Sequence, residues 1–60
     1  AGCFVVKREA TTALIVTHDQ HEAFSLADWV GVMHQGSIAQ WDTPYNLYHQ
    51  PKSRFVADFV

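Results

Sequence analysis

The chain has 60 residues, a formal net charge of −2 and only four Lys plus Arg residues. These values exclude more than one small domain and argue against a nucleic-acid-binding surface, which needs a basic face. The hydrophobic content of 48% is that of a folded chain, yet no apolar run approaches the roughly 18–20 residues that a membrane crossing requires. The single cysteine, Cys3, has no partner for a disulfide or a paired zinc site, which fits a reducing compartment.

The first predicted elements are a strand, a helix and a second strand. Residues 11–17 (TTALIVT) are rich in β-branched side chains and almost continuously apolar, which predicts a strand buried on both faces of a parallel sheet. A helix is predicted over 20–28, with Asp19 as N-cap and Glu22 as its capping-box partner. A short buried strand is predicted over 29–34, so the three elements form a βαβ unit with parallel strands and a crossover helix.

The second half of the chain is predicted to be a hairpin followed by two short helices. Gly36 can take the positive φ of a tight turn, and the returning strand covers 37–42. Thr43 followed by proline is a strong helix start, which predicts a helix over 44–49. A last helix with an apolar stripe is predicted over 54–60. The fold class is therefore α/β.

His18 directly follows the first predicted strand and directly precedes the capped helix start. In open α/β sheets, ligands bind beyond the carboxyl ends of the strands, and helix N-termini attract anions. A histidine at this position can donate a hydrogen bond to a phosphate oxygen. The alternative is a purely structural role, in which His18 bonds a nearby carbonyl group, and position alone favours that alternative.

A metal site at the same place is a further alternative. His18 and His21, with Asp19 and Glu22, supply ligand types, but zinc needs three or four ligands in one geometry. The spacing also differs from that of H-E-x-x-H. A solvated helix start explains these side chains better, so no metal site is predicted.

An ordered set of short motifs carries a family resemblance. In chain order the motifs are Thr17-His18-Asp19, Gln20, Glu22-Ala23, Ala27-Asp28, Val32-Met33, Gly36, Thr43-Pro44, Leu47-Tyr48 and Phe55-Val56-Ala57. Over about 7–60 the chain resembles the ATP-binding subunits of ATP-binding-cassette (ABC) importers, in the group that serves ferric iron, polyamines, sulfate and some sugars. A lone Thr-His-Asp would be uninformative, whereas the ordered set is specific.

The resemblance implies a C-terminal part of a P-loop NTPase domain that begins just before the switch-histidine loop. His18 is then the switch residue, catalytic and nucleotide-binding, which contacts the γ-phosphate of MgATP in the intact subunit. Such electrostatic positioning supplies most of phosphoryl-transfer catalysis. The implied partners are a second ATPase subunit and membrane-spanning subunits, without nucleic acid and without direct membrane insertion. The implied location is cytoplasmic, at the inner face of the cell membrane, and the solute is ferric iron or a polyamine.

Several motifs of the family do not occur in these 60 residues. They are the G-x-x-x-x-G-K-[ST] phosphate loop, the Gln loop, the Leu-Ser-Gly-Gly-Gln signature and the acidic Walker B strand. Residues 1–6 (AGCFVV) do not match the family pattern. The chain is therefore expected to be a partial nucleotide-binding domain over 1–60 that has no ATPase activity and no cofactor of its own. A small non-catalytic interaction or scaffold domain, or a decayed remnant of such a subunit, is the alternative.

Overall fold

A computed structural model of the protein describes residues 2–60, apart from the side chain of Leu26. Four strands and three helices follow one another in this part of the chain: β1 (Gly2–Lys7), β2 (Leu14–Thr17), α1 (Gln20–Leu26), β3 (Trp29–His34), β4 (Ser37–Asp42), α2 (Pro44–His49) and α3 (Arg54–Phe59). The strands form one antiparallel sheet in the order β2-β1-β3-β4. The predicted α/β class is confirmed. The predicted parallel sheet is wrong, because neighbouring strands of the sheet are antiparallel.

β1 is an inner strand of this sheet, although its residues had no predicted structure. Val5 lies opposite Val16 of β2 on one side and opposite Gly31 of β3 on the other. Phe4, Val5 and Val6 are all buried. Aromatic and β-branched side chains fit such a pleated, enclosed position.

The predicted βαβ unit is correct in strand direction and wrong in strand adjacency. β2 and β3 are each antiparallel to β1, so they run in the same direction and α1 connects them as a crossover. They do not pair with each other, because β1 occupies the position between them. The parallel hydrogen-bonding ladder is therefore replaced by two antiparallel ladders.

The first predicted strand, 11–17, is shorter and much more exposed than expected. β2 begins at Leu14, and Leu14, Ile15 and Val16 are 56% to 63% exposed. Burial on both faces is wrong because β2 lies at the edge of the sheet. Residues 11–13 belong to the loop after β1, where the Thr11 amide donates to the Arg8 carbonyl oxygen at 3.1 Å.

Two helix ends differ from the prediction, and the other helix bounds agree. The first helix ends at Leu26 instead of residue 28, since Ala27 is extended and the Asp28 amide donates to the Lys7 carbonyl oxygen at 3.0 Å. The last helix ends at Phe59, one residue early, with Val60 as its C-cap. The strands over 29–34 and 37–42 and the helix over 44–49 are confirmed.

The hairpin between β3 and β4 has a tight turn and a bulge. Gln35 and Gly36 both have positive φ, 49° and 81°, as a two-residue turn of type I′ requires. The register shifts between Val32 and Met33, so that Met33 lies opposite Ile38. Bulges of this kind place an extra residue in one strand and alter which face its side chains reach.

The core lies between one face of the sheet and the three helices. It consists of Phe4, Val6, Val30 and Val32 from the sheet and Ala23, Leu47 and Val56 from the helices. The ring of Phe4 contacts those of Phe24 and Phe59, with centroid distances of 5.8 and 5.0 Å. Among residues 2–60, none of the helices has the length and apolar character that crossing a membrane requires.

A polar network joins β4 to α2 and to the segment that follows α2. Gln40 is buried, and its side-chain oxygen accepts a hydrogen bond from the Lys52 amide at 2.7 Å. Asp42 accepts from the Asn46 side-chain nitrogen at 2.9 Å and from the Thr43 amide at 2.8 Å. These hydrogen bonds, that of Asn46 above all, lower the pKa of the Asp42 carboxyl below its ordinary value.

Replacing Asp42 by asparagine will change how the stability of the chain depends on pH. Because the pKa of Asp42 is lower in the folded state, its contribution is present above the unfolded pKa of about 3.9 and is lost as the pH falls through the folded pKa. Urea unfolding should therefore show a gap between the original chain and Asp42→Asn that is widest near neutral pH and narrows in acid. A gap of constant size over that range would contradict the role given to this carboxylate.

Candidate functional site

His18 lies directly after the end of β2 and two residues before α1, and its side chain is exposed. β2 and β3 point the same way, so this is also the edge of the sheet at which β3 ends. Among the hydrogen bonds of the described residues, none involves the ring of His18. The structural alternative, a bond to a nearby carbonyl group, therefore gains no support from the described residues.

The helix start beside His18 is held by two side chains. Asp19 caps α1, its side chain accepting a hydrogen bond from the Glu22 amide at 3.1 Å, as predicted. The reciprocal half of the capping box is replaced, because the Asp19 amide donates to the Thr17 hydroxyl oxygen at 3.0 Å. Thr17 and Asp19 thus fix the backbone on both sides of His18.

Replacing Asp19 by alanine will lower the free energy of unfolding by about 1 kcal/mol, because the Glu22 amide then loses its acceptor within the protein. Thermal unfolding followed by circular dichroism measures this change. Asp58→Ala is the matched control, since Asp58 forms only an exposed ion pair with Arg54 and such pairs contribute little. Equal losses in the two variants would argue against a specific capping role for Asp19.

The four histidines are dispersed over different surroundings. His21 is exposed in the first turn of α1. His34 stacks on Phe55 with a centroid distance of 3.8 Å, and its Nδ1 is buried without a hydrogen-bond partner. His49 packs against Tyr45 at 4.2 Å. In the described part of the chain, no three His, Cys, Asp or Glu side chains are grouped so as to hold a metal ion.

A small cavity lies near the site without including His18. Val6, Arg8, Ile15 and Glu22 line it, and its volume is about 120 Å³. Small-molecule sites usually measure roughly 300–1,000 Å³. The cavity is therefore too small for a nucleotide, and His18 does not line it.

Comparison with known proteins gives matches of similar strength to three kinds of import protein. Each match covers 54 residues and 90% of this chain. Identity is 52% with the spermidine/putrescine import ATP-binding protein PotA of Trichormus variabilis, 54% with the sulfate/thiosulfate import ATP-binding protein CysA 2 of Chromobacterium violaceum, and 48% with the Fe(3+) ions import ATP-binding protein FbpC 2 of Rhizobium meliloti.

The chain spans only 14% to 15% of the length of these relatives. The match length of 54 residues equals that of 7–60, the range over which the motifs were found. No protein-family model matches the chain, and no solved structure matches it. The resemblance read from the motifs is nevertheless confirmed: over nine-tenths of its length, this chain is similar to the ATP-binding subunits of ABC importers.

Proposed function

We propose that this chain forms the part of an ABC-importer ATP-binding subunit in which His18 contacts the γ-phosphate of MgATP. The observation that carries the proposal is the identity of 48% to 54% with three import ATP-binding proteins over 54 residues. The exposed position of His18 between a strand end and a capped helix supports it, because an exposed imidazole can donate a hydrogen bond to a ligand oxygen.

The imidazole of His18 would act through a hydrogen bond from a ring N–H group to a γ-phosphate oxygen. Negative charge on the transferred group is spread over its oxygens in the transition state, so a fixed donor lowers the barrier. The Glu22 amide is already bonded to Asp19. We assign the contact to the side chain of His18, which is exposed beside this helix start.

The other parts of the catalytic machinery would come from outside these 60 residues. The phosphate loop, the Mg²⁺ ligands and the residue that activates water have no counterpart in the sequence. The proposed partners are a second ATP-binding subunit and the membrane-spanning subunits, on the cytoplasmic side of the cell membrane. Polyamine, sulfate and ferric iron import proteins match this chain almost equally well. The proposal that the solute is ferric iron or a polyamine therefore rests on the sequence of residues 40–51 alone.

A chimera tests this function with the residues of this chain. In PotA of Trichormus variabilis, the matching segment is replaced by the 54 residues of this chain that align with it. We expect the chimera to bind and hydrolyse ATP at a rate within about tenfold of PotA, while the isolated chain, assayed in parallel, shows no turnover. A folded chimera that binds ATP without hydrolysing it would favour the alternative, a non-catalytic interaction or scaffold domain or a decayed remnant.

A further inference from the structure

Thr17, the last residue of β2, has a side chain whose position is set by the sheet. It is half-buried, whereas the three residues before it in the strand are exposed. Its partner across the ladder is Phe4, a residue of the core, and cross-strand partners share a face, so Thr17 lies on the helix side. A β-branched side chain has few allowed χ1 rotamers. The direction of the Thr17 hydroxyl group is therefore restricted.

This hydroxyl group closes a short turn of the backbone around His18. The Asp19 amide donates to the Thr17 hydroxyl oxygen at 3.0 Å, so the hydrogen bond joins the residues on either side of His18, where the chain bends. Threonine hydroxyl groups form such turns with the backbone two residues further on. The bond constrains the φ and ψ angles of His18 and, with them, the direction of its Cα–Cβ bond.

The backbone is the main restraint on where the ring of His18 can lie. The side chain is exposed, and in the part of the chain that the structure describes, its ring takes part in no hydrogen bond. The ring can then occupy only the positions that the staggered rotamers give, and these positions follow from the Cα–Cβ direction. A group that fixes the backbone at His18 therefore decides which oxygen atoms of a ligand the ring can reach.

Thr17 and Asp19 have different tasks at this bend. The Asp19 carboxylate accepts from the Glu22 amide at 3.1 Å, and the Asp19 carbonyl oxygen accepts from the Ala23 amide at 3.0 Å, so both bonds stabilise α1. The hydroxyl group of Thr17 acts on the segment before the helix instead. The hydrogen bond that it accepts is exposed, and water can replace the hydroxyl group there at little cost to stability. Its effect on orientation should therefore exceed its effect on stability.

We propose that Thr17 is a positioning residue for His18, whose hydroxyl group holds the imidazole where it reaches the γ-phosphate. This inference rests on the function proposed for His18. A group that is misplaced by about 1 Å can cost up to about 100-fold in rate. Loss of the hydroxyl group should therefore slow hydrolysis through His18 and leave nucleotide binding, which other parts of the subunit would supply, nearly unchanged.

Variants of Thr17 in the chimera with PotA test the proposal through kcat and KM for ATP. Thr17→Val removes the hydroxyl group and keeps the branched shape, and it should lower kcat about tenfold while KM changes by less than about twofold. Thr17→Ser keeps a hydroxyl group and should retain kcat within about twofold. Thr12→Val is the matched control: Thr12 is exposed in the loop after β1, and within residues 2–60 its hydroxyl group takes part in no hydrogen bond. It should leave kcat unchanged.

The His18→Ala background separates positioning from a general structural role. If Thr17 acts through His18, Thr17→Val should lower kcat by less than about twofold once the imidazole is absent. A full tenfold loss in that background, or no loss from Thr17→Val alone, would overturn the proposal while the function of His18 still stands. A rate that His18→Ala itself leaves unchanged would contradict the function proposed for His18, and this inference with it.

The 60-residue chain gives a second test that needs no ATP hydrolysis. In ¹⁵N relaxation measurements, the His18 amide should have an order parameter near 0.85, roughly that of rigid backbone, and Thr17→Val should lower it below about 0.6 while Thr17→Ser keeps it. The dispersion of the other amide signals confirms that each variant is folded. A His18 amide that is already mobile in the original chain, or that Thr17→Val leaves rigid, would overturn the proposal.

Discussion

Replacing His18 by alanine in the chimera with PotA will reduce ATP hydrolysis by about 100-fold or more and leave ATP binding nearly unchanged. The proposed hydrogen bond from the imidazole strengthens as charge develops on the γ-phosphate, and loss of one such donor typically costs about 10²- to 10³-fold in rate. The side chain is exposed and outside the core, so its removal should not disturb the fold. Single-turnover hydrolysis and equilibrium binding of a fluorescent ATP analogue measure the two quantities separately.

His21→Ala is the matched control for this experiment. His21 is also exposed and lies three residues further along, within α1. Its removal should change the rate of hydrolysis by less than about twofold, as expected of a surface residue without a substrate contact. An unchanged rate in His18→Ala, or equal losses in both variants, would contradict the role proposed for His18.

Replacing Phe4 by alanine will unfold most of the isolated chain at 25 °C. Phe4 is 1% exposed, lies in an inner strand and packs against Phe24 and Phe59. Truncating a buried phenylalanine costs about 3–5 kcal/mol, whereas a core in a chain of this size rarely supplies more than about 3–5 kcal/mol in total. The far-ultraviolet circular dichroism spectrum and the dispersion of amide proton resonances report the loss.

Cys3→Ala is the matched control for Phe4. Cys3 is the preceding residue of β1, is only half-buried, and lies on the opposite face of the sheet from the core. Its replacement should cost less than about 1 kcal/mol, because little side-chain volume is removed from a partly solvated position. A Phe4→Ala variant that remains fully folded would show that β1 is not the inner strand on which the core is built.

The parts of the fold that the sequence predicted well are determined by nearby residues. Thr43 and Pro44 specify a helix start within four residues, and the Thr43 hydroxyl accepts from the Asn46 amide at 3.3 Å as expected. Gly36 supplies the positive φ of the hairpin turn. Asp19 caps α1. Local turn and capping chemistry of this kind needs no knowledge of the rest of the chain.

The strand arrangement could not be predicted, because it depends on contacts between distant residues. An apolar run such as 14–17 has the same composition at the edge of a sheet as in its middle. Its place was decided by β1, whose residues gave no clear signal and which pairs with both β2 and β3. The end of α1 was likewise set by a long-range hydrogen bond, from the Asp28 amide to Lys7.

The position of His18 could be predicted from the sequence, whereas the hydrogen bonds around it could be predicted only in part. The Thr-His-Asp motif predicted His18 between a strand and a helix, where the structure has it. The support from Thr17 was not anticipated, since a hydroxyl two residues before a cap has no strong sequence signal. The exposure of Leu14, Ile15 and Val16 was also not anticipated, because the apolar residues of β2 were expected to be buried.

A comparison of two nucleotides by nuclear magnetic resonance tests the contact between His18 and the γ-phosphate most directly. The chimera is labelled with ¹⁵N-histidine, and the His18 ring signals, assigned with His18→Ala, are recorded with Mg²⁺ and either a non-hydrolysable ATP analogue or ADP. Because the two ligands differ in the γ-phosphate, we expect the ring nitrogen signals of His18 to shift with the ATP analogue and to stay in place with ADP. Equal shifts with both nucleotides, or none with either, would contradict the account.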